Sequence, residues 1–260
     1  MEFENIIVSV ENSIEHIVLN RPKVLNALNI DTVSELREAV EYAAMSDEVR
    51  VVIISGAGGR AFAAGADIAE MRELTPEGGR EMIANGKALM REIELLDKPV
   101  IAALNGYVIG GGLELALACD IRIASASASF SFPEPSLGII PGYGGSQRLG
   151  RVIGYGMAKY YCLTEERMDA SRAYELGLVA KVLDTEEKLM SEAYRIAGEM
   201  LKRSPAALAA VKESIREGMS MDMDSALMAE TRIFDRVFSS EERVVRMGRF
   251  LEGRKNRKRS

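Results

Sequence analysis

The sequence holds one histidine, His16, and that scarcity excludes several kinds of chemistry. A Ser-His-Asp or Cys-His engine would have to use this residue, and a multi-histidine metal site cannot be built. His16 falls in a predicted strand and reads as a strand surface residue. Acid–base groups are therefore expected among carboxylates, Lys or Tyr. Cysteine is nearly as scarce. Cys119 and Cys162 both have apolar neighbours, which predicts two buried, reduced thiols in a cytoplasmic protein. No N-terminal apolar stretch resembles a signal peptide, and no run is long enough to span a membrane, so no membrane partner is expected. The net charge of -6 argues against nucleic acid as a partner. The basic tail at residues 254–259 reads as a solvated terminus.

What is present is ordinary globular material: 260 residues, 47% hydrophobic and 28% charged. That suffices for one large core or a core plus a small appended unit. Residues 4–10 and 14–19 predict two strands joined by a turn. A loop follows, then a helix capped by Asn29 or Asp31 and running to about residue 45. Residues 49–55 predict a strand buried on both faces. Gly56, Gly58 and Ala61 imitate a dinucleotide-binding turn, but Gly65 interrupts any helix there, and the imitation is weak. Helices are expected over 67–74 and 75–96. From residue 146 helices dominate, and the last third is almost wholly helical. Met219, Met221, Met223 and Met228 read as gap-filling core or as a subunit contact.

One stretch organises the rest. Residues 100–104 form an apolar run, Gly110, Gly111 and Gly112 follow, and residues 113–119 are apolar nearly all round. This predicts a buried strand, then a buried helix with glycines at its N-terminus. The first N–H groups of a helix lack intrahelical partners, and glycines let another molecule approach them. The stretch can build an anion site or oxyanion hole from backbone alone. Glu114 lies among apolar neighbours just beyond, either as a functional acid or as half of a structural ion pair. Glu134 stands between Pro133 and Pro135 in a long Pro- and Gly-rich loop, either positioned for function or simply solvated.

Together these motifs identify a resemblance. Asn26-Ala27-Leu28, Phe62-Ala63-Ala64-Gly65-Ala66-Asp67, Asn105-Gly106 with the three glycines, Phe132-Pro133-Glu134, and Gly144-Gly145-Ser146-Gln147-Arg148-Leu149 resemble the crotonase (enoyl-CoA hydratase/isomerase) superfamily in order and spacing. The resemblance covers nearly the whole chain. It implies an α/β fold, a spiral of repeated ββα units over residues 1–195, followed by a helical trimerisation region over 196–260. It implies a homo-oligomer, a trimer or a dimer of trimers, acting on an acyl-CoA thioester without metal or other cofactor. It implies that the N–H groups of Ala66 and Gly111 stabilise a thioester enolate, and that Glu114 and Glu134 form the paired acids of the hydratases. Nearer the coenzyme it implies Val24 and Ala27, the Ala64, Asp67 and Ile68 backbone, and Phe234 from a neighbouring subunit. Ala69 stands where some hydratases carry a basic residue, so Lys23 or the basic tail is expected at the phosphates. Keeping both acids favours a hydratase. The competing readings are an isomerase or other enolate chemistry, and a non-enzymatic scaffold binding RNA through the tail.

Overall fold

The computed structural model describes residues 3–257, and the side chains of residues 3–252. The basic tail singled out above lies outside the described side chains. The chain divides into two compact units between Met200 and Leu201.

The first unit is built on two sheets. The larger has the order β1 (Ile6–Glu11), β2 (Ile14–Leu19), β3 (Val51–Gly56), β5 (Val100–Leu104), β7 (Ile121–Ser125), β10 (Lys181–Leu183). The β1–β2 hairpin is antiparallel and the other pairings are parallel. The smaller has the order β4 (Ala61–Ala63), β6 (Tyr107–Ile109), β8 (Ser129–Ser131), β9 (Met168–Asp169). Consecutive strand pairs β3/β4, β5/β6 and β7/β8 therefore each give one strand to each sheet. Helices α2 (Ile68–Glu73) and α3 (Pro76–Leu95) follow the first pair, α4 (Gly111–Ala118) the second, and α5 (Gly145–Ile153) the third. This is a ββα spiral.

Local chemistry explains the elements that hold the site. Helix α1 (Ile30–Met45) is capped by Asn29, whose side chain accepts from the Thr32 N–H at 2.9 Å. Asn26 is buried, and its amide donates to the Ala57 and Ala61 carbonyls at 3.0 and 2.8 Å. Those bonds tie the loop before α1 to the corner between β3 and β4. The glycines of that corner lead into a strand and not a helix, so no dinucleotide turn stands there. All eight residues of α4 are buried, as its all-round apolar sequence requires. Helices α6 (Tyr155–Thr164), α7 (Ala170–Glu175) and α8 (Glu186–Leu201) follow α5.

Two expectations need correction. His16 is half-buried and bonded on both ring nitrogens, Nε2 to Ser55 Oγ at 2.7 Å and Nδ1 to the Tyr194 hydroxyl at 3.0 Å. Tyr194 on α8 covers the strand face that sequence alone left open. Cys119 is buried, but Cys162 on α6 is only half-buried.

The second unit consists of α9 (Pro205–Gly218), α10 (Met223–Phe238) and α11 (Glu241–Arg257). Ser204 and Asp222 cap the first two through bonds to the Ala207 and Ser225 N–H groups. Met219, Met221, Met223 and Met228 are all exposed, so they are not core of this chain. Met219 and Met221 fall in the turn between α9 and α10, and Met223 opens α10.

Among the buried polar groups, Glu15 on β2 has neither carboxyl oxygen partnered. Burial pushes it up from an ordinary 4.5 to about 7, partly offset by the Lys98 ammonium. Between these values the folded protein holds a proton that the unfolded chain has lost, so stability falls as pH rises through that window. Glu15→Gln removes the penalty. Its melting temperature should match wild type at pH 5 and exceed it at pH 8, by about 2–4 °C for each kcal/mol relieved. Equal melting temperatures at pH 8 would show that Glu15 carries no such penalty.

Candidate active site

The site begins where two backbone segments meet. Leu28 bridges Ala66 in parallel, with the Leu28 N–H on the Gly65 carbonyl at 2.8 Å and the Asp67 N–H on the Leu28 carbonyl at 3.0 Å. A parallel bridge uses the groups flanking Ala66, so the Ala66 N–H faces the other way. That way lies the start of α4. Gly111 is its first residue, and a helix provides no internal acceptor for that N–H. A methyl added to Gly111 would sit 3.5 Å from the Ala66 nitrogen, which shows how closely the two donors stand.

The neighbouring glycines allow this approach. Gly110 has φ +51°, and a Cβ there would lie 2.6 Å from Glu134 Oε1. A Cβ on Gly112 would lie 2.3 Å from the Ala63 carbonyl oxygen, so α4 reaches β4 only without a side chain at that position.

Two carboxyl groups face the same cavity. Glu114 is on the first turn of α4 and is 2% exposed. Its Oε1 accepts from the Gly145 N–H at 2.6 Å, at the start of α5. Burial pushes it up to about 7, while the Gly145, Tyr143 and Gly144 N–H groups hold it back. Glu134 opens a short 3-10 turn, Glu134–Leu137, within the long loop. It is 8% exposed, so it is not a solvated loop acid, and its Oε2 has no partner in the protein. It is raised to about 7, first by burial and then by the charges of Glu114 and Glu165, with its own N–H holding it back.

The cavity is lined by Ala64, Ala66, Ile68, Gly111, Glu114 and Glu134, with an apolar wall from Met71, Met82 and Ile83. The structure thus brings together six of the residues singled out from sequence. Val24, Ala27 and Asp67 lie in the adjoining segments. The Arg21 guanidinium ties these together, bonding the Ala27 carbonyl at 2.6 Å and Asp67 Oδ2 at 3.2 Å. Val24 is exposed and Ala27 half-buried. Phe234 belongs to the helical second unit, is exposed, and stacks on Phe238 with centroids 5.1 Å apart. Sequence reasoning missed Tyr143, a buried cavity-lining residue. A lone aromatic among four glycines and a proline was the available signal.

Among the described residues no group of three or more His, Cys, Asp or Glu could hold a metal ion. No helix there is long and apolar enough to cross a membrane. The arrangement suits a reaction in which a carbonyl oxygen gains negative charge while protons move at neighbouring carbons.

Comparison with known proteins agrees. The family model for enoyl-CoA hydratase/isomerase matches residues 9–258. A short-chain-enoyl-CoA hydratase of Clostridium acetobutylicum is 45% identical over 98% of this chain and 97% of its own. A crotonyl-CoA hydratase of Syntrophomonas wolfei is 44% identical over 98% of each. The crystal structure of an enoyl-CoA hydratase from Bacillus anthracis superposes with a TM-score of 0.93 at 38% identity, covering 96% of this chain and 97% of that one. The chain belongs to the enoyl-CoA hydratase/isomerase family and has the crotonase fold.

Glu134 owes part of its shift to Glu114, so the two should titrate as a pair. Carboxyl-carbon NMR of the Glu114→Gln protein is expected to show Glu134 titrating lower than in wild type, yet above the ordinary value of 4.5, because burial persists. An unmoved Glu134 titration would show that the two carboxyls do not sense each other.

Proposed function

We propose that this chain is an enoyl-CoA hydratase that adds water reversibly to a trans-2-enoyl-CoA, giving the 3-hydroxyacyl-CoA. The observation carrying this reading is a pair of buried carboxyls, both raised to about 7, facing one cavity with two free backbone donors. The 44–45% identical relatives named as hydratases support it.

The chemistry follows from the placement. The Ala66 and Gly111 N–H groups donate to the thioester oxygen, where charge gathers as water adds to C3. Ionised Glu114, held by the N–H groups at the start of α5, takes the proton of the attacking water. Glu134, lacking such donors on Oε2, holds its proton more readily and delivers it to C2. The new C–O bond at C3 and the new C–H bond at C2 add one water, and proton exchange with solvent returns Glu114 to its ionised and Glu134 to its protonated form. In the reverse direction the two acids exchange tasks.

The coenzyme arm is assigned to Val24, Ala27, Ala64, Asp67 and Ile68, with Lys23 near the phosphates. These residues lie on adjoining segments, and Ile68 is both exposed and cavity-lining. Phe234 completes the site from a neighbouring subunit. The exposed apolar residues of α9 to α11 support a homo-oligomer, a trimer or a dimer of trimers. Its place is the cytoplasm, and it uses no cofactor besides the coenzyme A of the substrate.

The test is loss of conjugated thioester absorbance with crotonyl-CoA. Wild type should hydrate it, and Glu114→Gln and Glu134→Gln should each lower kcat by about 100-fold or more. Wild-type protein that binds CoA esters without hydrating any enoyl-CoA would refute the reading. The mechanism also requires one acid ionised and the other protonated. With both carboxyls near 7, kcat should peak around neutral pH and fall on either side. A flat profile from pH 5 to 9 would contradict that requirement.

A further inference from the structure

Tyr143 is 3% exposed, lines the cavity, and its hydroxyl has no partner in the protein. Its ring is clamped on two sides. A Cβ on Gly86 of α3 would lie 2.2 Å from ring atom Cε1, so the helix admits the ring only because that residue is glycine. On the other side, a Cβ on Gly111 would lie 3.5 Å from Cε2. Its backbone is fixed as well, because its carbonyl accepts from Arg148 Nη1 at 2.8 Å. Arg148 is in turn paired with Glu94 of α3 at 2.6 Å. Tyr143 is a rigid wall beside the donor that holds the thioester oxygen.

We propose that Tyr143 is the specificity-determining residue that confines this site to short acyl chains. This rests on the hydratase reading. With the thioester oxygen at Ala66 and Gly111 and C3 beside Glu114, the carbons beyond C3 run toward Tyr143, Met82 and Ile83. The ring stops them by volume. A four-carbon acyl group ends before the ring and escapes that cost.

The rival is visible in the fold. Met71, Met82, Ile83, Ile139, Ile140 and Gly142 also line a surface groove that runs on from the cavity. A long chain that left along this groove would bypass Tyr143.

The experiment is kcat/KM on trans-2-enoyl-CoAs of four, six, eight and ten carbons, for wild type, Tyr143→Phe and Tyr143→Ala. Dissociation constants for the matching saturated acyl-CoAs are measured by calorimetry on the same proteins. Wild type should fall by about 10-fold or more between four and eight carbons. Tyr143→Phe keeps the ring and should leave the eight-to-four ratio within about twofold, whereas Tyr143→Ala should raise it by about 10-fold or more, in both rates and affinities. Tyr143→Leu replaces the alanine variant should that protein fail to fold. Equal wild-type use of all lengths overturns the proposal, as does a ratio that stays within about twofold in the variant lacking the ring. A wild type inactive on every length refutes the hydratase reading instead, and the affinities then decide the role of Tyr143 alone.

Discussion

Everything in the site depends on two stretches of backbone coming close with no side chain between them. Gly65 and Ala66 arrive from one side, Gly110 and Gly111 from the other. Several separate bonds enforce this meeting. The Leu28 bridge orients Ala66, Asn26 fixes the corner before it, and Gly112 lets α4 rest on β4. The donors that result are main-chain groups, which cannot change rotamer or charge state. On the proposed reading they are set in place before any substrate arrives, so little reorganisation is needed as charge develops.

The paired acids show how one fold gives like residues unlike surroundings. Glu114 is held by N–H groups at the start of α5, and Glu134 has one oxygen without a partner. Both are buried and both are raised, but the donors favour charge on Glu114 and their lack favours a proton on Glu134. Glu15 is a useful contrast. It is as buried and as shifted, yet it is not among the residues lining the cavity that Glu114 and Glu134 share. A raised carboxyl becomes a candidate for catalysis only with a cavity and a reacting partner beside it.

Much of this was legible in the sequence, for reasons tied to particular residues. The strand over Val100–Leu104, the three glycines and the apolar helix after them spelled a backbone anion site directly, and Gly111 stands at it. Helices with long apolar periods and side-chain caps, such as the one opened by Asn29, were legible within a few residues. Strands β4, β6 and β9 were not, because two or three residues are too few to show alternation. Of the smaller sheet only β8, which the sequence predicts as a short strand over residues 128–131, was visible. Ala66 was reached only through resemblance, since a loop N–H leaves no mark on side-chain pattern. The partners of His16 come from Ser55 and from Tyr194, far along the chain, which no local window joins. Tyr143 was missed because its role arises from packing between Gly86 and Gly111, which are distant from it in sequence.

The central claim is that water adds at C3 through the enolate formed here, and that the double bond does not merely shift. The most direct measurement is mass spectrometry of the product made from crotonyl-CoA in heavy-oxygen water, and separately in heavy water. The account predicts a 3-hydroxyacyl-CoA with one solvent oxygen at C3 and one solvent hydrogen at C2. A product with solvent hydrogen but no solvent oxygen, its double bond moved along the chain, would contradict it.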